Sequence, residues 1–600
     1  MIETLKKINR LLDRRDRGKV LILVGLMIVT AFMQTAGIAS IMPFLAVLSD
    51  PGMVESNRAL SLAYERLGFD STTNFLYALG IVAFIVFILG TALQAATHWA
   101  ITRFSLMQQY ELSRRLMSDY LRRPFTFFLG RNSGDLSKTI LEETTHAISG
   151  TVMPVMRLAS HGLVALAIIV FLFLLQPWLS LTVAVSLGGF YGAIYLLSRK
   201  WLKRIGAERV EANRARFTTA AEAFAGVKEI RLLGRERDYL ERYRQPSKLY
   251  ARHQANAALL EAMPKYAIEA IAFGGVLILV LFLMAGDRGL AQVLPLIAVY
   301  ALAAKKLLPA FQNIFASFSS LRFSAAAVDN VLRDLGDQPD SGRLLPPNRQ
   351  PPPLVPTTAI MLTDVYYQYP GSERPAINRI SLDIPARTTV GFVGSSGAGK
   401  STLVDVLLGL LAPQSGHIRI DDVRLTTENV RNWQSALGYV PQHIFLADQS
   451  VAENIALGLR EDQIDQASVE RAARLANLHE FVTAELPHGY DTIIGERGTR
   501  LSGGQRQRIG IARALYRNPA VLFFDEATSA LDNATELAVM DAIHNLSGEK
   551  TVILVAHRLS TVKPCNRIYV LKHGEVVDQG SWDDLSNRSL HFKQLTAGVS

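Results

Sequence analysis

The stretch Gly394-Ser-Ser-Gly-Ala-Gly-Lys-Ser-Thr402 fills the phosphate-loop spacing G-x-x-x-x-G-K-[ST] with Gly394, Gly399, Lys400 and Ser401. Glycines at that spacing let the backbone turn tightly, so that the N–H groups of Ser395, Ser396, Gly397, Ala398 and Thr402 can face phosphate oxygens. Lys400 then reaches the β/γ-phosphates and the Ser401 hydroxyl is offered to Mg²⁺. Such a loop works only between a strand and a helix. The apolar run Thr389–Val393 reads as the strand, and Leu403–Leu410 reads as the helix. Together they predict bound nucleotide.

Further chemistry lies downstream. Ala520-Val-Leu-Phe-Phe-Asp525 is a buried-strand run ending in a carboxylate suited to the metal's water shell, and Glu526 follows as a candidate general base for an attacking water. In Leu501-Ser-Gly-Gly-Gln505, the Ser502 hydroxyl and the N–H groups of Gly503 and Gly504 begin a helix that also carries Arg506 and Arg508. That is a second anion site. Taken in order, the phosphate loop, Gln442, Leu501–Gln505, Asp525-Glu526, Ser529-Ala-Leu-Asp532 and His557 resemble the ABC ATPase family. The resemblance implies that Tyr369 stacks on adenine, with Tyr366 or Tyr367 in the core. It gives Gln442 to Mg²⁺ or the lytic water, His557 to the γ-phosphate, and Asp532 to communication across an interface. It also implies that ATP is held between the phosphate loop of one domain and the Leu501–Gln505 signature of another. One chain carries one of each, so a homodimer with two composite sites is expected. Lys400, Asp525, Glu526 and His557 are all present, and hydrolysis is therefore expected.

Those motifs occupy less than half of a chain of 600 residues, too long for one core. Hydrophobic residues make up 49% and mean hydropathy is +0.18. The apolar residues concentrate in the first half, which reads as membrane. The single cysteine, Cys565, excludes an internal disulfide. A net charge of +10 raises the question of nucleic acid, but much of the excess lies beside apolar spans and reads as positive-inside loops. No nucleic-acid partner is expected.

Six spans are predicted. The first follows Lys19, with no further charge until Asp50; the second is the uncharged stretch 71–102. Leu158–Ser198 holds two more, divided at Gln176-Pro177-Trp178, and Ala270–Gly286 and Gly289–Ala304 give the last two around Asp287-Arg288. Residues 103–157 and 199–265 are crowded with Arg and Lys, so they and both termini are expected on the cytoplasmic side of a bacterial inner (cytoplasmic) membrane. Those polar stretches still read as helix, extending spans two to five beyond the bilayer. Within them, Pro124–Leu129 with Ser133–Leu136, and Glu222–Gly234, resemble the segments at which exporter helices meet their ATPase. Residues 53–68 form an amphipathic segment with Leu60, Tyr64 and Leu67 on one face, read either as an interfacial helix or as a cap on span two. The expected architecture is a multidomain membrane protein: an all-α transmembrane domain of the ABC exporter type (1–335), a Pro-rich linker (336–358), and an α/β P-loop ATPase domain (359–600).

Arg103, Lys265 and Lys306 fall near the inner boundary of spans two, five and six. They could form a cationic belt for a phosphate or pyrophosphate headgroup rising from the inner leaflet. The bland alternative is snorkelling to lipid headgroups, with Lys265 paired to Glu269 at i,i+4. The full chain resembles the bacterial lipid-linked oligosaccharide flippases of protein N-glycosylation, through Ile41-Met-Pro-Phe44, Arg103-Phe-Ser105, Pro264-Lys265 with Glu269, and Leu307-Leu-Pro309. That resemblance implies ATP-driven translocation of a lipid-linked, pyrophosphate-bearing oligosaccharide. Export of another lipid, a drug or a peptide is the alternative within transport; an ATP-gated channel or regulator is the alternative outside it.

Overall fold

The computed structural model describes residues 6–8, 11, 16–284, 290–336, 351–526, 548–556 and 558–597. The chain divides into two compact units, Met1–Arg123 with Phe128–Leu345, and Pro346–Ser600 with Pro124–Phe127.

The first unit is helical. Its long elements are α1 (Asp16–Ala39), α2 (Ile41–Ser49), α3 (Arg58–Arg66), α4 (Thr72–Arg122), α5 (Met153–Leu175), α6 (Pro177–Ala225), α7 (Glu236–Met284), α8 (Leu290–Phe323) and α9 (Ala325–Leu335). The apolar stretch after Lys19, expected as one helix, is broken at Ser40 into α1 and α2. Pro43 supplies the reason: it has no N–H for the carbonyl of Ala39, and its ring crowds that turn. Among the described residues, four helical stretches are long and apolar enough to cross a membrane: Asp16–Ser49, Thr72–Arg122, Gly134–Leu175 and Ser180–Ala225. The stretches expected as the last two spans fall on α7 and α8 as far as they are described, and residues 285–289, with the expected turn at Asp287-Arg288, lie outside the described residues.

At 51 residues, α4 is about 76 Å long at a rise of about 1.5 Å per residue, more than twice an apolar bilayer core. α6 and α7 have 49 residues each. The polar ends of these helices pack on one another rather than fray. Arg209 of α6 and Glu143 are both fully buried 3.6 Å apart, with the Arg209 guanidinium over the Phe323 ring. Next to them, burial alone would raise the Glu142 carboxyl, but hydrogen bonds from His146, Asn213 and Tyr250 and the Arg216 charge bring it down to about 2. α6 and α8 approach so closely that a Cβ on Gly206 would lie 2.1 Å from the Phe323 carbonyl oxygen.

Residues 53–68 cap the bundle. Asn57 closes the start of α3 by accepting from the N–H groups of Ala59 and Leu60. Leu60 and Tyr64 pack onto the buried cluster of Val47, Val54 and Phe75, whereas Leu67 is exposed. The face expected from periodicity is thus taken up by the chain itself at Leu60 and Tyr64.

The second unit is built on two sheets. β1 (Ala359–Tyr367), β2 (Ile377–Pro385), β4 (Ser415–Ile420) and β5 (Val423–Arg424) form an antiparallel sheet in the order β2-β1-β4-β5. The other sheet orders β10-β9-β3-β8-β7-β6, from β3 (Thr389–Val393), β6 (Leu437–Val440), β7 (Val521–Asp525), β8 (Thr551–Val555), β9 (Arg567–Lys572) and β10 (Glu575–Gly580). Within it β9, β3, β8, β7 and β6 pair in parallel. β3, β7 and β8 are buried at every residue, which explains why they read as unbroken apolar runs and not as alternating ones.

The expected linker, 336–358, is described at Gly336 and from Pro351 onward, and 337–350 lie outside the described residues. Its last residues are fastened to the ATPase unit. The Leu354 N–H donates to the Asn432 carbonyl, and the N–H groups of Thr357, Thr358 and Ala359 with the Thr357 hydroxyl all donate to the Asp421 carboxylate. Burial works to raise the Asp421 carboxyl, yet these donors hold it down at about 2. A carboxyl depressed by folding stabilises the fold above its unfolded value and loses that contribution as pH falls toward about 2. Asp421→Ala should therefore cost about 1–3 kcal/mol near neutrality, with the gap to wild type closing between pH 4 and pH 2. Thermal unfolding followed across that range reads it directly.

Candidate functional site

β3 is buried end to end and delivers the chain to Gly394 at its carboxyl edge. From there the loop exposes Ser395, Ser396 and Gly397 and buries Ala398. Two of its glycines adopt left-handed backbone, Gly397 at φ +77° and Gly399 at φ +101°. Gly399 caps α10 (Lys400–Leu407), which starts three residues earlier than the expected Leu403 and ends at Leu407, just before Gly409 with φ +68°. The reason is local: Gly399 takes the helix cap, so Lys400, Ser401 and Thr402 enter the first turn. A Cβ on Gly399 would meet the Ala376 carbonyl oxygen at 2.5 Å, whereas one on Gly397 would meet nothing within 4 Å.

Lys400 is 6% exposed and donates to the carbonyls of Gly394 at 2.8 Å and Ser395 at 3.1 Å. The lysine thus lies curled along the loop it would cradle a phosphate with. Burial pulls its ammonium below the ordinary lysine value, while the charges of Glu526 and Asp525 act in the opposite direction. Ser401 stays exposed in the first turn, and Thr402 meets the Tyr369 hydroxyl at 3.2 Å. Tyr367 is in the core, edge-on to Tyr369, which remains half-buried at the loop, and Tyr366 is half-buried as well.

Parallel pairing puts the ends of β6 and β7 on the same edge as the loop. Asp525 closes β7 as a buried carboxylate. Glu526 then turns out of the strand at φ +53°, a left-handed conformation unusual for a side-chain-bearing residue, and its N–H is held by the Val555 carbonyl at 3.0 Å. Gln442, beyond β6, donates through Nε2 to Glu526 Oε2 at 2.6 Å. Ser401, Gln442 and Asp525 offer a hydroxyl, an amide and a carboxylate, a hard-oxygen set that fits a small divalent cation keeping several waters. Asp532 and His557 lie outside the described residues.

One carboxyl at this edge escaped the sequence reading. Asp405 of α10 is pushed up to about 6, first by burial and then by Asp525. Only its offset from Lys400, five positions along the same helix, hinted at it.

The second expected anion site has its own architecture. Ser502 caps α11 (Gly503–Tyr516) in a reciprocal capping box: its hydroxyl accepts from the Gln505 N–H at 3.2 Å, and Gln505 Oε1 accepts from the Ser502 N–H at 2.8 Å. Leu501 is buried beneath, and Gly503 and Gly504 occupy the first turn, where N–H groups have no acceptor within the helix. Arg506 and Arg508 contribute differently from expectation. Arg506 donates to the Leu501 carbonyl at 3.0 Å and Arg508 to the Asn477 carbonyl at 2.7 Å, so both guanidiniums brace backbone.

In the helical unit the three belt candidates each have a separate neighbour. The Arg103 guanidinium lies 5.2 Å over its own helix's Trp99. Lys265 pairs with Glu269 at 3.7 Å, the i,i+4 alternative. Lys306 turns inward, donates to Gln94 Oε1 at 3.4 Å and sits 5.5 Å over the Phe87 ring, while Lys305 is exposed. Gln94 also accepts from Gln34 at 2.6 Å, and Thr30 meets Thr97 at 2.7 Å, so a polar seam runs between α1 and α4. Nearby, a cavity of about 300 Å³ is lined by Thr30, Gln94, His98, Arg157, Ser160 and His161 among others. The sequence reading had not singled out that group.

Comparison with known proteins agrees with both halves. Residues 20–302 match the family model described as ABC transporter transmembrane region, and residues 377–529 match that described as ABC transporter. An ATP-dependent lipid A-core flippase of Saccharophagus degradans is 31% identical over 81% of this chain and 80% of its own length. The protein of the same name in Vibrio vulnificus is 29% identical over 88% of this chain and 89% of its own. Among solved structures, a bacterial Atm1-family ABC exporter with ATP bound superposes with a TM-score of 0.77 at 24% identity, covering 98% of this chain and 99% of that one.

The two left-handed glycines separate strain from overlap. Gly397→Ala should cost about 1–2 kcal/mol of backbone strain. Gly399→Ala should add overlap with Ala376 and weaken ATP binding at least about tenfold beyond Gly397→Ala. Fluorescent-nucleotide titration of the two variants checks the order.

Proposed function

This chain belongs to the ABC exporters, half-transporters that fuse a transmembrane region to an ATPase, and from that membership we propose that it is a homodimeric flippase for a lipid-linked, pyrophosphate-bearing oligosaccharide. It is an integral membrane protein whose ATPase domain binds ATP and couples hydrolysis to transport. The finer reading places it in a bacterial cytoplasmic membrane, with the ATPase domain and both termini in the cytoplasm and substrate moving from inner to outer leaflet.

One observation carries the hydrolytic part: Gln442 holds Glu526 at 2.6 Å on the edge where the phosphate loop opens. In the proposed cycle Tyr369 stacks on adenine. Gly394–Thr402 hold the phosphates, and Lys400 leaves its loop carbonyls for the β/γ-phosphates. Ser401, Gln442 and Asp525 would hold Mg²⁺, which when bound neutralises phosphate charge. Glu526 orients and deprotonates the attacking water, His557 contacts the γ-phosphate, and Asp532 links the two sites. The Leu501–Gln505 turn of a second copy completes each site through the Ser502 hydroxyl and the N–H groups of Gly503 and Gly504. ATP thereby becomes the adhesive that closes the dimer, and hydrolysis removes it.

The substrate reading draws support from Arg103 and Lys306, cationic side chains near the expected bilayer boundary whose neighbours among the described residues are Trp99 and Gln94 and not a carboxylate, whereas Lys265 already pairs with Glu269. A second reading has its own support. The relatives named lipid A-core flippases make lipid A-core the alternative cargo.

The test uses proteoliposomes with either lipid in the inner leaflet. Wild type should hydrolyse ATP and move the pyrophosphate-linked lipid, and Glu526→Gln should cut both by about a hundredfold or more. Movement of lipid A-core alone would give the cargo to the second reading. ATP turnover with neither lipid moved would overturn both.

A further inference from the structure

Beyond β6, residues 441–449 form neither helix nor strand, so no ladder of backbone bonds fixes the stretch that carries Gln442. Side chains fix it instead. Arg513 of α11 donates through Nη1 to the Phe445 carbonyl at 2.7 Å. Its Nε donates to the Asn454 carbonyl at 2.8 Å and its Nη2 to Asn454 Oδ1 at 3.3 Å. Asn454, fully buried in the short helix Val451–Ile455, in turn holds Ala447 from both sides. Its Oδ1 accepts from the Ala447 N–H and its Nδ2 donates to the Ala447 carbonyl, each at 3.0 Å. One guanidinium and one amide thus hold the backbone just beyond Gln442. The helix meets this loop along one face, since Arg506, Gly510 and Arg513 are spaced i, i+4, i+7 on α11. Arg506 donates to the Leu501 carbonyl at 3.0 Å, at the signature end of that face. A Cβ on Gly510 would lie 2.4 Å from Ile444 Cδ1 and within 3.2 Å of two more Ile444 carbons, so helix and loop are in close contact there. Arg513 closes the face on Phe445. Among the described residues no carboxylate pairs with Arg513, and burial pulls its guanidinium down to about 10. A half-buried charge held by neutral acceptors returns little stability for its desolvation; what a planar fork of donors supplies is geometry.

We propose that Arg513 is a positioning residue for ATP hydrolysis: by fastening the loop after Gln442 to α11, it sets the Gln442 amide against Glu526. This rests on the assignment of Gln442 and Glu526 to the attacking water. Gln442 Nε2 reaches Glu526 Oε2 at 2.6 Å, and the backbone of Glu526 is fixed by the Val555 carbonyl, so Gln442 is the movable partner of the pair. A displacement of its loop by about 1 Å breaks that contact and costs up to about a hundredfold in rate. α11 also begins at the Ser502 turn, so the helix that offers the second anion site is the one that holds the Gln442 loop. The hydrogen bonds of Arg513 go to Phe445 and Asn454 and not to the phosphate loop, so its effect falls on turnover and not on nucleotide binding.

The experiment measures ATP turnover and fluorescent-nucleotide affinity of the full chain in nanodiscs, for wild type, Arg513→Lys, Gln442→Ala and the double variant. Arg513→Lys keeps the charge and loses the fork. It should lower kcat about tenfold while the nucleotide Kd stays within about twofold of wild type. In the Gln442→Ala background the same substitution should change kcat by less than about twofold, because the residue it acts through is gone. Equal losses in both backgrounds, or a Kd that weakens in step with kcat, would overturn the proposal. Wild-type turnover in both Gln442→Ala and Glu526→Gln has a different meaning: it removes the assignment of that pair to hydrolysis, and the role of Arg513 with it. A second pair of variants serves where Arg513→Lys fails to assemble. Gly510→Ala drives its Cβ into Ile444 and should also lower kcat about tenfold, with Kd held. Adding Ile444→Ala makes room and should return kcat to within about threefold of wild type. Full turnover in Gly510→Ala, or no recovery in the pair, counts against the docking of this loop on α11 and overturns the proposal as well.

Discussion

Parallel pairing of buried strands is the constraint on which the ATPase half depends. β3, β7 and β8 are covered on both faces, so their polar backbone groups can be satisfied only by neighbouring strands in a fixed register. Parallel register then forces every carboxyl end onto one edge. The phosphate loop after β3, Gln442 after β6 and Asp525-Glu526 at the end of β7 meet there because the sheet allows no other arrangement. The left-handed turn at Glu526 fits the same picture, since its N–H is still held by the adjacent strand's Val555.

Charge at low dielectric plays the corresponding part in the helical half. Long helices carry arginines, lysines and carboxylates into regions where an uncompensated charge is expensive, and several of these groups lie beside a neighbour of complementary polarity. Arg209 faces Glu143 in the fully buried polar end of the bundle, Glu142 collects Tyr250 and Arg216, and Lys306 folds back to Gln94. These pairings tie neighbouring helical segments together.

The halves therefore use polar groups in opposite ways. At the sheet edge, Lys400 and the loop N–H groups are held in reserve by weak internal contacts that a phosphate can replace. In the bundle, several polar groups are spent on one another.

Local chemistry made much of this legible in the sequence. Glycines at fixed spacing, an apolar strand run before them, a carboxylate pair after another, and uncharged stretches of bilayer length each have one dominant physical meaning, so the sequence determined the ATPase assignment, the division into a helical and a sheet-bearing unit, and the four apolar helical stretches found among the described residues. Tertiary structure decided what depends on neighbours distant in the chain. Pro43 breaking the first span was visible as a residue but not as a kink, because prolines also occur inside continuous helices here, at Pro246 and Pro264. That Arg506 and Arg508 brace carbonyls, that Asp405 shares an edge with Asp525, and that Leu60 and Tyr64 cover a cluster containing Phe75 are facts of packing. So is the meeting of His98 with Arg157 and His161 around one cavity. No periodicity relates α4 to α5 across nearly sixty residues; only the crossing of the two helices puts those side chains together.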